Sequence, residues 1–262
     1  MKKLGLFFAL LLAFSSLAQN NIEVQYLGNE PLNDALFLGK DVFASSYLVK
    51  DQVILIKRAE SEKEFQNLSL GPITTVDAIN PMQLSVFYKR FNTVLLLDKE
   101  LVLIKTIALT ERHPQLQPGY VSMSSQNRLW LWDELTNQLG LLAVQSLVYT
   151  SLTTPFPEPI KYRHSDVNYF YWISEENLLY YSDIYGKISK PYPLPAFEDI
   201  QIISPHKVIY RNDNQLYYLN LQTDVQQQLP IGEKSISGFF FNTQILSIFT
   251  DLEIKNYLIT LP

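Results

Sequence analysis

Along most of the chain, short apolar runs alternate with polar pairs, and the stretch from Lys207 to Leu221 shows the unit most clearly. Val208-Ile209-Tyr210 and Leu216-Tyr217-Tyr218-Leu219 flank Asn212-Asp213-Asn214. β-Branched and aromatic residues suit a pleated strand, whereas Asn and Asp tolerate the left-handed backbone of a tight turn, so this stretch predicts a β-hairpin. Similar turns, each ending in Asn or Asp, are read at Lys50-Asp51, Phe91-Asn92, Gln126-Asn127, Glu176-Asn177, Asp213-Asn214 and Thr250-Asp251. Their spacings of 41, 35, 50, 37 and 37 residues scatter about the ~40 to 45 residues of a four-stranded propeller blade.

Strand-like runs precede these turns at Ser46 to Val49, Leu84 to Tyr88, Gly119 to Met123, Asn168 to Ile173, Lys207 to Tyr210 and Gln244 to Phe249. Others follow them at Val53 to Ile56, Thr93 to Leu97, Leu129 to Trp132, Leu178 to Tyr181, Leu216 to Leu221 and Ile254 to Ile259. They are assigned as the second and third strands of each unit. A less regular fourth follows, as in Phe65 to Leu70, Val102 to Leu109 and Leu139 to Val144. First strands are assigned to Ala35 to Leu38, Ile73 to Ile79, Ile160 to His164, Asp199 to Ile203 and Ile236 to Phe241, and the third unit lacks an obvious one near Gln115 to Gln117.

Proline cannot donate to a strand ladder and should collect in connectors. Pro31, Pro72, Pro114, Pro118, Pro155, Pro157, Pro159, Pro191, Pro193, Pro195 and Pro230 fall between units, while Pro81 and Pro205 fall between first and second strands. The last unit has three strands before the chain ends, and the first has one to spare, Ile22 to Leu27. An all-β, six-bladed β-propeller closed by pairing the N-terminal strand with the last blade accounts for both. Barrels and sandwiches leave the period unexplained.

Composition adds a compartment. Lys2 and Lys3 precede an apolar run from Leu4 to Leu17 that ends in small residues at Ala18, the pattern of a secretory signal peptide. The expected organisation is a signal peptide over residues 1–18 and a single propeller domain over 19–262, exported to the periplasm, to the outer membrane or to the cell exterior. Cleavage after Ala18 leaves 244 of 262 residues and takes the net charge from −5 to −7. That charge argues against nucleic acid as a partner. With no cysteine, disulfides, thiolate metal sites, a cysteine nucleophile and a lipid anchor on cysteine are excluded. No later run is long and apolar enough for a membrane helix. The mixed charges from Glu60 to Glu64 read as solvated loop.

The run Leu70-Gly71-Pro72-Ile73-Thr74-Thr75-Val76-Asp77, with Asn80-Pro81, Phe87-Tyr88 and Asn92-Thr93-Val94-Leu95-Leu96-Leu97-Asp98, resembles secreted propeller-like proteins of Bacteroidota. The signal peptide ending Leu17-Ala18-Gln19 is similar to theirs. That family has no assigned activity, so the resemblance transfers no catalytic residue. The units also resemble those of WD-type and quinoprotein-like propellers, with Trp132-Asp133 matching the dipeptide of the former.

Candidate chemistry is sparse. His164 follows Arg163 near the end of a first strand, and Asp77, Asp166 and Asp199 lie in or beside first strands of three units. A propeller could bring these four to its channel as a carbohydrate-binding site or as the acid/base groups of a hydrolase or lyase. Strand-end Asp more commonly caps its own turn. No histidine pair has metal-ligand spacing, and there is no Gly-x-Ser-x-Gly and no phosphate-cradling glycine loop, so neither a cofactor nor a metal is expected. Asn67-Leu68-Ser69 matches a glycosylation sequence by chance. Trp130, Trp132, Trp172, Tyr169, Tyr171, Tyr180, Tyr181, Tyr217 and Tyr218 are expected to pack between blades. The leading expectation is a non-enzymatic interaction module that binds another envelope protein through the connectors Thr110 to Gly119 and Thr153 to Pro159, with Arg112, His113, Phe156 and Arg163 as contacts.

Overall fold

The computed structural model describes residues 22–31, 35–40, 45–58, 60–78, 80 and 82–262. The signal-peptide segment and Pro81 lie outside them. Strand β1 (Val24–Pro31) precedes blade 1, which contains β2 (Leu36–Lys40), β3 (Ser46–Lys50), β4 (Val53–Lys57) and β5 (Glu62–Phe65). Blade 2 contains β6 (Thr75–Asp77), β7 (Gln83–Tyr88), β8 (Thr93–Asp98) and β9 (Leu103–Ala108), and is followed by the single helical turn α1 (Leu109–Arg112). Blade 3 is β10 (Pro118–Ser124), β11 (Arg128–Asp133), β12 (Gln138–Ala143) and β13 (Tyr149–Ser151). Blade 4 is β14 (Ile160–Ser165), β15 (Tyr169–Ser174), β16 (Leu178–Asp183) and β17 (Tyr192–Pro193). Blade 5 is β18 (Asp199–Ser204), β19 (Lys207–Asn212), β20 (Gln215–Asn220) and β21 (Val225–Gln228). Blade 6 takes β22 (Gly238–Asn242), β23 (Ile245–Phe249) and β24 (Glu253–Ile259) from the end of the chain and β1 from its start.

Every sheet is four-stranded and antiparallel, and together they form a six-bladed β-propeller. Val24 lies opposite Ile259 and Pro31 opposite Glu253, so the N-terminal strand closes the ring as the outermost strand of blade 6. Second and third strands are apolar on both faces because each blade is sandwiched between two others. Leu84 to Tyr88 and Thr93 to Leu97 are buried throughout. The core is accordingly divided among the six spaces between blades. Trp130, Trp132, Trp172, Tyr171 and Tyr218 are buried there, as the aromatic pattern predicts.

Turn chemistry follows the predicted logic at most positions. Asp51 with Gln52, and Asp213 with Asn214, all have positive φ, and Asn92 and Asn177 adopt it singly. The third unit needs a correction. Gln126 and Asn127 join the first and second strands of blade 3, not the second and third, so Gly119 to Met123 belongs to the first strand. The turn equivalent to the others ends at Asn137, also at positive φ. With Asn137 in place of Asn127, the spacings of 35 and 50 become 45 and 40. A second correction concerns Glu62 to Glu64, which form part of an outer strand and not a loop. An outermost strand pairs on one side only, and exposed charges there discourage edge-to-edge association. Asn67 caps a 3₁₀ turn, accepting from Ser69 N at 3.1 Å and Leu70 N at 3.3 Å.

Closure brings blade 6 against blade 1, where Phe37, Leu48 and Ile254 form the buried apolar cluster among the described residues. Polar contacts supplement it. Glu30 on β1 accepts from Lys40 Nζ at 3.0 Å, Asn256 Nδ2 at 3.0 Å and Ser46 Oγ at 3.3 Å. Burial by itself would raise the Glu30 carboxyl, but the bonds from Lys40, Asn256 and Ser46 and the Lys40 charge together hold it below its ordinary value of 4.5. A carboxylate depressed on folding contributes stability that is whole above its unfolded pKa and is lost as pH falls through its folded one. Glu30→Gln should therefore lower stability at pH 7 and flatten the decline in unfolding midpoint between roughly pH 5 and pH 3. Denaturant titrations of both proteins across that window check this, and parallel pH profiles would refute it.

Candidate functional site

The first strands of all six blades surround a central channel with a cavity of about 790 Å³. An innermost strand has a ladder partner on one side only, so its other backbone edge requires acceptors and donors from elsewhere. Neighbouring blades supply several of them. Asp77 Oδ2 accepts from Met123 N at 2.6 Å, joining blade 2 to blade 3. Gln201 grips both backbone groups of Phe241, accepting from its N at 2.6 Å and donating to its O at 2.7 Å. Asn242 donates to Lys40 O at 2.5 Å across the closing interface. Between blades 3 and 4, the Ser122 and Ser165 hydroxyls lie 2.5 Å apart, Tyr120 Oη lies 3.3 Å from Ser165 Oγ, and Ser124 donates to Val167 O at 3.2 Å.

Of the four channel candidates, Asp77, His164 and Asp166 border this one cavity and Asp199 does not. Asp77 is buried and holds the backbone of blade 3. Asp166 accepts from Asn168 N at 2.7 Å and Tyr169 N at 2.8 Å through Oδ1, and from Tyr171 Oη at 2.6 Å through Oδ2. It caps the turn after β14. Asp199 faces blade 6; burial raises its carboxyl against the bonds from Ile200 N and Phe239 N and the charge of Arg211.

His164 differs from these acids. Its ring stacks on Tyr171 at 6.1 Å and an interplanar angle of 23°, and the residue is half-buried where it borders the channel. Burial pulls its pKa down to about 4, against the pull of Asp166, so the imidazole is neutral at pH 7. Nearby, burial and the Asp77 charge push the Tyr120 phenol up to about 12. Among the described residues no group of three or more His, Asp or Glu side chains is arranged to hold a metal ion. Both carboxylates that border the cavity among the described residues, Asp77 and Asp166, are engaged as acceptors.

The contact candidates occupy different settings. Arg112 is exposed at the end of α1. His113 caps that turn, and its Nε2 lies 2.7 Å from Leu147 O, which ties the connector to blade 3. Phe156 is 7% exposed, stacked 4.7 Å from Trp132 and 4.3 Å from Trp172, and so belongs to the core between blades 3 and 4. Arg163 is half-buried with its guanidinium carbon 5.4 Å from the Trp132 ring centroid. Sequence reasoning missed Lys40, Tyr120, Gln201 and Asn242. A signal exists for Gln201, a polar residue between apolar neighbours in Ile200-Gln201-Ile202, whereas Lys40 and Asn242 end their strands and Tyr120 shares its strand with Ser122 and Ser124.

No protein-family profile and no curated protein matches the chain. Among solved structures it is similar to a catalytically inactive virginiamycin B lyase from Staphylococcus aureus with quinupristin, at 13% identity and TM-score 0.54 over 91% of this chain and 99% of that one. It is also similar to BBS1N in complex with ARL6DN, at 12% identity and TM-score 0.55 over 82% and 75% of the two chains. A third similarity is to PorZ, a surface component of the type-IX secretion system of Porphyromonas gingivalis, at 13% identity and TM-score 0.51, covering 87% of this chain and 31% of that one. These likenesses establish the propeller fold, on which the neighbours carry mixed roles.

Two substitutions test whether these side chains serve the fold. Gln201→Ala should cost about 1–3 kcal/mol by leaving backbone groups of Phe241 without their bonds. Phe156→Ala should cost about 3–5 kcal/mol as a core aromatic deletion. Urea unfolding midpoints report both, and a Phe156 variant as stable as the parent would make that ring a surface contact.

Proposed function

We propose that the protein is an exported, non-enzymatic propeller that binds another envelope protein through the end of the ring where connectors and the turns between second and third strands emerge. Antiparallel blades put those segments at the same end. Exposed apolar tips stand there: Leu68 in the connector from blade 1 to blade 2 is 78% exposed, Phe91 in the blade 2 turn 46%, Leu135 in the blade 3 turn 63% and Leu252 in the blade 6 turn 84%. This exposed apolar set carries the proposal, because such surface on a folded domain marks interaction sites. The Lys89–Glu134 ion pair, at 2.6 Å, holds the blade 2 and blade 3 turns side by side. Arg112, on the connector from blade 2 to blade 3, supplies a charged rim.

Two further facts support the reading. The channel carboxylates Asp77 and Asp166 are engaged in the fold itself, which leaves the enzyme alternative with His164 and no uncommitted carboxylate on the cavity among the described residues. BBS1N, a propeller neighbour, is solved with a protein partner. Export rests on Lys2, Lys3 and the apolar run ending at Ala18, and no helix of the described residues is long and apolar enough to cross a membrane. The mature protein from its native host should therefore begin at Gln19 by intact mass, and a retained Met1 or Lys2 would count against export.

The surface is tested by tagging the full chain in its native host and quantifying co-purified envelope proteins by mass spectrometry. Leu68→Asp with Leu135→Asp should remove the partner, and Arg112→Glu should weaken its capture, with melting temperatures held within about 2 °C. Undiminished capture by both variants would reject this end of the ring.

A further inference from the structure

The central cavity presents a chemical imbalance. Its wall is largely aliphatic and aromatic, including Leu38, Val76, Val121, Ile202 and Phe240. Nearly all the polarity along it is already engaged. Lys40 is paired with Glu30, Gln52 accepts from Ile73 N, and Thr75 donates to Val121 O. Thr74 accepts from Lys89 N, and Thr243 donates to Asn242. Asp77, Tyr120, Asp166, Gln201 and Asn242 hold the bonds given above. His164 is the exception: neither ring nitrogen has a hydrogen-bond partner among the described residues, although its ring position is fixed by stacking on Tyr171.

From this geometry we infer that the channel binds a neutral, predominantly apolar small molecule carrying one hydrogen-bonding group, which His164 receives. The cavity of about 790 Å³ falls in the ~300–1,000 Å³ range of sites for such ligands. An anionic ligand would be buried without a counter-charge, since Lys40 already has Glu30, and the carboxylates a cation would meet, Asp77 and Asp166, are engaged as acceptors within the fold. A sugar would lose many bonds to water and recover few, because the polar side chains of the wall are occupied. An apolar molecule with one hydroxyl or carbonyl meets both conditions. A neutral imidazole has one N–H to donate and one lone pair to accept, so either group suits it. This site is separate from the connector surface proposed above, and either can exist without the other.

The probe is Nile red, a neutral lipophilic dye with a carbonyl acceptor, titrated into the purified full chain. Saturable binding with a blue-shifted emission and a stoichiometry near one is expected. Ile203→Trp, which fills the cavity, should abolish it. His164→Phe, which keeps the ring stacked on Tyr171, should weaken it about tenfold, the value of one hydrogen bond. Tyr185→Ser, an exposed position away from the channel, should leave binding unchanged. Anionic anilinonaphthalene sulfonate should bind at least about tenfold more weakly than Nile red. Circular dichroism confirms folding of each variant. If Ile203→Trp fails to fold, Val76→Phe takes its place as the filling variant. Absence of saturable binding, binding unaffected by both the filling variant and His164→Phe, loss in Tyr185→Ser, or tighter binding of the anion would overturn the assignment.

Discussion

An innermost propeller strand has half of its backbone edge without a strand to pair with, and the structure of this protein depends on how that edge is satisfied. Buried backbone N–H and C=O groups without partners are costly. Here side chains from the adjacent blade take the place of a neighbouring strand: Asp77 for Met123 N, Gln201 for both backbone groups of Phe241, and Asn242 for Lys40 O. Each bond requires a particular height of one blade against the next. Apolar packing between sheets tolerates sliding far better than a two-point amide clamp does, so these few residues fix the relative setting of the blades that the cores only hold together.

The closing interface shows the same constraint from another side. Five of the spaces between blades are filled by clusters rich in Leu, Ile and aromatic rings, whereas among the described residues the space between blades 6 and 1 has three fully buried apolar ones. That interface joins the two ends of the chain, and Glu30, Lys40, Ser46 and Asn256 occupy part of it. Gly39 lies there too, where an added Cβ would come within 2.9 Å of the Phe240 ring. Close approach at one point and directional bonds at another determine how the ends meet, which a purely apolar contact would leave underdetermined.

Much of the fold was legible because propeller turns demand residue types that stand out. Asn92, Asn177 and Asn214 sit at positive φ in equivalent turns, and proline marks most of the connectors. The spare strand at one end and the missing strand at the other implied the closure that β1 and β24 make. Blade 3 is ambiguous in sequence because it has two turns of the same chemistry, at Asn127 and at Asn137. Evenness of spacing favours the later turn, and Asp133 marks it physically by accepting from Gln117 N and Thr136 N at the end of β11. The candidate site was less legible. Phe156 looks like an exposed connector aromatic between prolines, yet stacking between Trp132 and Trp172 depends on a neighbouring blade that periodicity does not describe.

The polar residues of inner strands pose the same ambiguity in a form the structure resolves. A carboxylate or amide among apolar neighbours reads equally well as a catalytic group or as a structural one, since both need burial and a fixed position. Counting bonds separates them. Asp166 accepts three hydrogen bonds and Gln201 makes two, so neither has much capacity left for a substrate without weakening the ring. His164 has comparable burial and a stacked ring but no such bonds among the described residues, so its loss would strand no backbone group among them. A side chain that is positioned by packing and idle in hydrogen bonding does little for the fold that a phenyl ring would not do. The chemistry of this channel is therefore better sought at its one uncommitted imidazole than at the acids that first draw the eye.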